Sequence, residues 1–318
     1  MDLPIELKNA VESLVENKSM SELKAASKII TDKYKNESGK GKKLVTDKLD
    51  AEVYSVYRMP ATFGACSDAL SYVSEFYSES IDSVTDVGAG SGAASWASDI
   101  VFDPSRITCL EREKAMRDLG SKLMESDPSV SSKTTWLSFD ITKDEIAESS
   151  DLVIASYMFN ELDPDNIKSS ISKLWDKTDK LLVIIEPGTP KGFSVISTIR
   201  SFLLEKGGCL VAPCTHDKSC RLLSDDWCHF TCRVQRSKLH KLLKDADVPY
   251  EDEKYSYIAF SKTPCNRAKM RVLRHPYITK GQVEVTLCTE SENTKVTIRK
   301  RDGDLYKKAK KAKQGDSL

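Results

Sequence analysis

Residues 84–97 read VTDVGAGSGAASWA and place three alternating glycines between a β-branched run and a helical stretch. Glycine lets a chain turn sharply after a strand and lets its backbone approach a bound ligand closely. Asp86 stands two residues before Gly88, and Gly90 and Gly92 follow at alternate positions. The pattern predicts that a nucleotide-type cofactor binds on this turn.

Two cofactors fit the turn. Gly88, Gly90 and Ala93 match the dinucleotide fingerprint G-x-G-x-x-G/A, which holds a pyrophosphate at a helix N-terminus. The S-adenosylmethionine turn of a class I methyltransferase has an acidic residue two positions before its first glycine, as Asp86 is here. The sequence favours the methyltransferase turn because of the residues that end the next strands.

Polar residues end the next three predicted strands. Glu111 ends the second, where either cofactor needs a carboxylate to accept hydrogen bonds from ribose hydroxyls. Asp140 ends the third, where methyltransferases often hold the adenine amino group, although Asp140 alone could also be a helix cap. Asn160 and Glu161 follow the fourth, where methyltransferases line the methyl-transfer pocket, and are the candidate catalytic residues.

The chain divides into three predicted parts. Residues 1–78 form an N-terminal helical extension. Residues 79–264 form an α/β domain with the class I S-adenosylmethionine-dependent methyltransferase fold, a doubly wound sheet covered on both faces, and carry a cysteine-rich insertion over 205–232. Residues 265–318 form a small basic β appendage of three strands followed by a helix.

Two local features of the predicted extension concern its helices. Pro60 stands inside a helical stretch and predicts a break there. Residues 36–44 are polar and contain glycine, and they predict a loop.

The strands of the domain are predicted from the β-branched runs at 83–87, 106–111, 134–139, 151–159 and 180–187.

Charge is distributed unevenly along the chain. The formal net charge is zero, so the average indicates no polyanionic partner, but residues 266–313 hold 14 Lys or Arg against five Asp or Glu. These cations predict contact with RNA phosphates, and a solvated basic face is the alternative. The predicted RNA-binding residues are Arg271, Arg274, His275 and Lys280, with Lys307, Lys308, Lys310 and Lys311 on the terminal helix.

The apolar pattern predicts no membrane partner. No run approaches the roughly 18 apolar residues that span a bilayer. The first residues are acidic, without the apolar core of a signal peptide or the Arg-rich character of a transit peptide. The expected compartment is therefore the cytoplasm, where cysteines are thiols or metal ligands more often than disulfides.

Residues 214–232, CTHDKSCRLLSDDWCHFTC, hold four of the nine cysteines. Cys214, Cys220 and Cys228 are spaced C-x5-C-x7-C, which is looser than the C-x2-C knuckle of a zinc ribbon. A fourth thiolate would come from afar, and Cys288 is the best candidate. Four thiolates suit zinc or an iron–sulfur cluster. Packing without a metal is the alternative, and the competing ligands are Cys232, His216 and His229.

Together these residues resemble a family of bacterial and mitochondrial small-ribosomal-subunit methyltransferase-like proteins, of the methyltransferase-like protein seventeen type. The resemblance runs in family order from near residue 50 almost to the last residue. Its stretches are YRMPATFGA, DVGAGSGAASWA, ASYMFNEL, IEPGTPKGF, APCTHDKSC, DWCHF, YEDEKYSYIA, RVLRHP and RDGDLYKKA.

The resemblance implies a class I methyltransferase fold that binds S-adenosylmethionine, carries a [4Fe–4S] cluster and associates with small-subunit ribosomal RNA. The implied cluster ligands are Cys214, Cys220, Cys228 and Cys288, and not Cys232. For a eukaryotic homologue, the implied compartment is the mitochondrial matrix.

Activity is left open between classes of function. The stretch FNEL differs from the N-P-P-[YF] with which many base N-methyltransferases hold the target amine. The chain is therefore either an RNA methyltransferase or a binding factor that docks on the small subunit without catalysis. A zinc-containing RNA methyltransferase and an iron–sulfur redox protein are weaker alternatives.

Overall fold

The computed structural model describes residues 2–37, 44–45, 47–222, 225–243 and 247–318. In this described part, the larger sheet has eight strands in the order β3-β2-β1-β4-β5-β8-β6, with β7 paired to β8. These strands are β1 Ser83–Val87, β2 Arg106–Glu111, β3 Thr134–Ser138, β4 Ser150–Ser156, β5 Thr178–Pro187, β6 Cys209–Ala212, β7 Phe230–Gln235 and β8 Tyr250–Ser261.

The strand directions identify the fold. β3, β2, β1, β4 and β5 are parallel, whereas β8 lies antiparallel between β5 and β6. A dinucleotide-binding fold would continue with a parallel sixth strand in the order 3-2-1-4-5-6. The antiparallel strand after β5 is the class I methyltransferase arrangement. The predicted α/β, doubly wound methyltransferase fold is therefore confirmed.

Helices cover both faces of this sheet. One face packs against the helices that precede β3 and the short helix that follows β7. The other face packs against the two helices that flank β5, and each interface is an apolar core. Strands buried on both faces explain the nearly continuous apolar runs of the sequence. The helices are α1 Ile5–Ser13, α2 Met20–Glu37, α3 Lys48–Ser74, α4 Ala93–Phe102, α5 Lys114–Met124, α6 Pro128–Ser131, α7 Ile167–Asp176, α8 Pro190–Glu205, α9 Lys238–Leu243 and α10 Asp304–Lys311.

α3 runs through Pro60 without a break, so the predicted break is wrong. A proline inside a helix costs about 3 kcal/mol. Nineteen of the 27 residues of α3 are buried, and at roughly 25 cal/mol per Å² of apolar area their burial outweighs that cost. α1 to α3 also share one core with β1 and α4, so the helices predicted as an extension are packed into the domain.

Two sequence-based predictions fall partly on residues outside the described ranges. Most of the polar loop predicted over residues 36–44 lies outside the described residues, as do positions 244–246 at the end of the helix predicted after β7. The cysteine-rich stretch connects β6 to β7, two short strands that the apolar pattern did not indicate.

The C-terminal residues form a second sheet, in which four strands are described. Its order is β10-β11-β12, and β9 also pairs with β11. α10 packs on one face of this sheet, around Val283, Val285 and Leu287. The strands are β9 Met270–Val272, β10 Tyr277–Thr279, β11 Gln282–Thr289 and β12 Asn293–Arg299. The sequence predicted three of them and missed the short edge strand β10.

Within the described residues, no helix combines the length and the apolar character that crossing a bilayer requires.

The turn from β5 to α8 has no room for a side chain at Gly188. A Cβ atom there would lie 2.7 Å from Lys254 C and 2.7 Å from Tyr255 N, and both of these are backbone atoms of β8. Gly188 N also donates to Lys254 O at 2.9 Å. The turn is therefore held tightly against β8.

We expect Gly188→Ala to lower the free energy of unfolding by about 1–3 kcal/mol, because two backbone segments must separate to admit the methyl group. Calorimetric unfolding measures this change. Gly207→Ala is the control, because no atom lies within 4 Å of its Cβ position and only the strain of a φ of 77° opposes it, at about 1 kcal/mol. Equal stability of Gly188→Ala and wild type would contradict the tight fit.

Candidate cofactor site and cysteine cavity

The three predicted glycines form a left-handed turn between β1 and α4. Their φ angles are 72° at Gly88, 56° at Gly90 and 87° at Gly92, which glycine adopts without strain. A Cβ atom on Gly88 would lie 2.8 Å from Met158 Cγ. The turn therefore requires glycine, both for its backbone conformation and for the close approach of Met158.

Asp86 connects the strand before the turn to the helix after it. Its carboxyl group is fully buried and accepts a hydrogen bond from Ser95 Oγ at 2.7 Å, which ties the end of β1 to α4. Asp86 Oδ1 has no hydrogen-bond partner among the described residues. Burial raises the pKa of Asp86 to about 7, partly offset by the Ser95 hydrogen bonds.

Glu111 at the end of β2 holds the turn from the side. Gly90 N and Glu113 N each donate to one of its carboxylate oxygens at 2.8 Å. Burial raises the pKa of Glu111, and these backbone hydrogen bonds act against the rise. A carboxylate has about four lone-pair sites, so Glu111 can still accept a hydrogen bond from a ribose hydroxyl.

Asp140 follows β3, and its carboxylate both caps a turn and borders a cleft. Its Oδ1 accepts hydrogen bonds from Thr142 N at 3.1 Å and Thr142 Oγ1 at 2.7 Å, so it caps a turn. Its side chain also lines the cavity beside the glycine turn. Partial burial alone would raise the pKa of Asp140. The Thr142 hydrogen bonds and Lys143 lower the pKa by more than burial raises it, so it lies below its usual value.

These residues border a cleft of about 920 Å³, including its open mouth. α3 and the segment before it close one side, and Glu113 holds this segment by accepting hydrogen bonds from Leu44 N (2.9 Å) and Val45 N (2.8 Å). Of the predicted cofactor and catalytic residues, the wall includes Gly88, Gly90, Glu111, Asp140 and Glu161.

The candidate catalytic pair is divided by the structure. Glu161 lines the cleft, and burial together with the nearby Glu111 raises its pKa to about 8. Asn160 is not among the described residues of the wall, and its Nδ2 donates to Tyr157 O at 3.0 Å. Of the two candidate catalytic residues, the structure therefore brings Glu161 into the wall of the cleft.

Glu186 at the end of β5 fixes the loop that carries this pair. Its buried carboxyl group accepts hydrogen bonds from Phe159 N at 2.8 Å and Asn160 N at 3.1 Å. Burial raises the pKa of Glu186 to about 8, although both hydrogen bonds oppose the rise. The sequence-based prediction did not include this residue, although an acidic residue at the end of a buried strand could have indicated it.

Tyr157 begins the same loop with a φ of 58°, which is strained for a residue with a large side chain. Tyr157 N donates to Ile185 O at 2.7 Å, and its hydroxyl donates to Glu253 Oε1 at 2.9 Å. Arg58 on α3 lies over the ring, 5.7 Å from its centroid, and pairs with Glu253. α3, β8 and the loop after β4 thus meet at one end of the cleft.

The four predicted metal-ligand cysteines line a second cavity, of about 370 Å³ including space open to solvent. Cys214, Cys220 and Cys228 reach it from the β6–β7 connection and Cys288 from β11. No group of three or more His, Cys, Asp or Glu side chains among the described residues is arranged to hold a single metal ion. Among the described residues, the four thiols therefore share one cavity.

The competing ligands differ in position. Cys232 lies on β7 facing α3, with its Sγ 3.3 Å from the Cβ position of Gly64. His216 lines the cysteine cavity, whereas His229 is not among the described residues of its wall. Arg200 on α8 also lines the cavity and donates to His216 O at 2.8 Å and Lys218 O at 2.7 Å, which fixes the loop.

Arg271 is a correction to the predicted RNA-binding set. It is 1% exposed, and its guanidinium donates to Pro213 O at 3.1 Å and Gly315 O at 2.7 Å. A buried group with these partners cannot reach an RNA phosphate. Arg274 is half-buried and pairs with Asp226, whereas His275 and Lys280 are exposed. The four predicted lysines of α10 are exposed, and Lys307 pairs with Asp304.

Comparison with known proteins identifies the family. Residues 48–318 match the family model described as mitochondrial small ribosomal subunit Rsm22. The chain belongs to the Rsm22 family. This membership confirms the resemblance noted from the sequence motifs.

Curated relatives of this Rsm22 family member share about a quarter of its residues. The human ribosome assembly protein METTL17, mitochondrial, is 24% identical over 288 residues, covering 84% of this chain and 62% of the human protein. Rsm22-cox11 tandem protein 2, mitochondrial, of Schizosaccharomyces pombe is 25% identical, covering 73% of this chain and 38% of that protein. The chain thus spans less than two thirds of the length of either relative.

Similar solved structures include two methyltransferases. Magnesium protoporphyrin IX methyltransferase of Synechocystis is 12% identical, with 75% of this chain and 100% of that chain covered and a TM-score of 0.43. Precorrin-6y C5,15-methyltransferase of Geobacter metallireducens is 14% identical, with 62% and 85% covered and a TM-score of 0.41. For this Rsm22 family member, the fold class follows from its own strand order.

We expect Gly90→Asp to weaken S-adenosylmethionine binding by about 2 kcal/mol or more, roughly 30-fold. The new carboxylate would stand beside Glu111, to which Gly90 N donates, and would strain a φ of 56°. Titration calorimetry measures the affinity. Gly281→Asp is the matched control, since its φ is 81° and no atom lies within 4 Å of its Cβ position. Wild-type affinity in Gly90→Asp would remove the glycine turn from the site.

Proposed function

We propose that this chain is an S-adenosylmethionine-binding protein that acts in assembly of the small ribosomal subunit and docks on its RNA. The observation that carries the proposal is the cleft beside the Gly88–Gly92 turn, in a chain of the Rsm22 family. The curated relatives support the ribosomal part, because the human one is named as a ribosome assembly protein.

The cofactor would lie across the ends of β1, β2 and β3. The turn leaves its backbone open to the methionine part, Glu111 has lone pairs for the ribose hydroxyls, and Asp140 stands where an adenine amino group can donate. Helix α4 begins directly after the turn. Each of these groups already lines one cleft, which supports binding of a single elongated ligand.

The RNA contact would be made by exposed cations of the C-terminal sheet and α10. His275, Lys280 and the α10 lysines remain candidates, while the buried Arg271 would act as a support for the appendage. For the compartment, the names of the curated relatives all include the word mitochondrial. They favour the mitochondrial matrix over the cytoplasm that the first residues of the sequence predict.

The cysteine cavity would hold a [4Fe–4S] cluster, with a zinc site as the alternative. The donor set fits, because four cysteine thiolates are the usual ligands of such clusters. The four thiols also line one cavity, reached from the β6–β7 connection and from β11. A bound cluster would supply redox-active iron and a rigid link between the β6–β7 connection and β11.

Anaerobically purified protein should be brown and contain roughly four irons and four sulfides per chain. Changing Cys214, Cys220, Cys228 or Cys288 to serine should each remove the colour and the iron. Cys232→Ser should leave both unchanged, because Cys232 faces α3 and not the cavity. Colourless protein with one zinc per chain would contradict the cluster, and full iron retention in Cys288→Ser would contradict that ligand.

RNA methyl transfer is the second candidate function, and the position of Glu161 in the cleft favours it. Methyl transfer is an in-line displacement in which alignment of the reacting groups supplies most of the acceleration. Glu161 would orient the acceptor and accept its proton. Asn160 would act less directly, because its amide is bound to the carbonyl of Tyr157.

We expect the protein to retain small-subunit RNA at low salt and to release it steeply as salt rises, because phosphate contacts release counterions. Joint replacement of Lys308, Lys310 and Lys311 by glutamine should reduce the slope by about one per cation that contacts a phosphate. The same samples, with labelled S-adenosylmethionine, measure methyl transfer.

Label that enters the RNA and disappears in Glu161→Gln, at unchanged RNA affinity, would establish the methyltransferase. RNA retention without label supports the docking factor. Absence of RNA retention by the wild type would contradict the proposed function.

A further inference from the structure

The appendage sheet has one face that α10 leaves uncovered, and this face is exposed to solvent around Tyr277. In antiparallel pairs, residues directly opposite each other project to the same face. Tyr277 is opposite Glu284, and Glu284 is opposite Thr297. α10 covers the other face, around Val283 and Val285. Among the described residues, Tyr277 is therefore an aromatic side chain on the face that α10 leaves uncovered, and it is 65% exposed.

Cations lie at the end of the sheet that carries this tyrosine. Thr279 is opposite Gln282, and Gln282 is opposite Arg299, so Arg299 projects to the face of Tyr277 in the neighbouring row. Lys280 lies in the turn between β10 and β11, and Lys300 N donates to Gly281 O at 2.9 Å, which brings the next cations beside that turn. We name this group the cationic rim, and its members are Lys280, Arg299, Lys300 and Arg301, all exposed.

The acidic residues near the rim are already engaged. Glu284 pairs with Lys295 at 2.9 Å, and Asp302 accepts a hydrogen bond from Arg299 N at 2.6 Å. The rim therefore keeps an excess of positive charge beside an exposed aromatic ring. A groove of cations that follows a backbone, with an aromatic platform for the bases, is how proteins bind single-stranded nucleic acid. Sheets with exposed aromatic residues bind single-stranded RNA in this way.

We propose that the open face of the appendage sheet binds single-stranded RNA, with Tyr277 stacking on a base and the cationic rim contacting the phosphates on either side. The inference rests on the proposed RNA function and specifies its partner as an unpaired segment rather than a duplex. At its other end, the same face carries Cys288 opposite Arg271, which is buried against Pro213, so the RNA would bind only at the end that carries Tyr277.

The experiment measures binding of the full chain to a mixed-sequence single-stranded RNA of about a dozen nucleotides, and to the same sequence as a duplex. We expect the single strand to bind more tightly. Tyr277→Ala should weaken this binding by roughly 5- to 150-fold, since stacking contributes about 1–3 kcal/mol per base, and the salt slope should not change. Tyr277→Phe should keep the affinity, because the ring is retained.

Two controls make the result specific. Ile278→Ala changes the adjacent exposed residue, which projects to the opposite face and is 49% exposed, and it should bind as the wild type does. Arg299→Gln with Arg301→Gln should reduce the salt slope by about 0.7 for each phosphate that the protein no longer neutralises. All variants should unfold at the wild-type temperature, because the altered side chains are exposed.

The outcomes separate the two proposals. Wild-type protein that binds neither RNA would overturn the proposed function itself. RNA binding that is unaffected by Tyr277→Ala, or equal for single strand and duplex, would overturn this inference alone. If Tyr277→Ala no longer binds the assembled small subunit but keeps the free RNA, the face docks on a ribosomal protein, and the inference is also overturned.

Discussion

The β5–α8 turn supports both the cofactor cleft and the cysteine cavity. On one side of the turn, Glu186 accepts the hydrogen bonds of Phe159 N and Asn160 N and so fixes the loop at the end of the cofactor cleft. On the other side, Gly188 O accepts a hydrogen bond from Trp227 Nε1 at 2.9 Å, next to Cys228. The two hydrogen-bond acceptors are two residues apart, so one short turn holds both the loop at the end of the cofactor cleft and the segment that carries Cys228.

Helix α8 extends the same support along its length. Near its first turn, Lys191 Nζ donates to Asn160 O at 3.2 Å, and nine residues later Arg200 donates to the carbonyls of the cysteine loop. At 1.5 Å per residue these two contacts lie about 13 Å apart along the helix axis. The helix therefore acts as a rigid spacer. Both cavities are built around the element that follows β5, although their ligands would differ.

Whether a feature of the fold or of the candidate sites could be predicted from the sequence depended on how far apart along the chain its interacting residues lie. β1 and β2 agree with the predicted runs because a strand buried on both faces is written in its own residues. β7 and β10 were missed because each is short and is ordered by pairing with another strand, β7 with β8 and β10 with the adjacent β11. Arg271 was expected to bind RNA because a cation in a basic segment gives no sign of the carbonyls that surround it in the fold. Glu186 was missed for the same reason, since its partners lie 26 and 27 residues away.

The buried Arg271 also helps to attach the appendage to the larger domain. A cluster at Cys288 would tie β11 to the β6–β7 connection, but Arg271 already joins β9 to Pro213, and Gln314 Nε2 donates to His229 O at 2.7 Å and Leu273 O at 2.9 Å. Tyr72 on α3 adds a hydrogen bond to Gln314 O at 3.0 Å. These hydrogen bonds are made by protein groups alone. The attachment of the appendage, and with it the placement of its open face, therefore follows from these buried hydrogen bonds, and a metal group at the cysteines would reinforce a contact that the chain already makes.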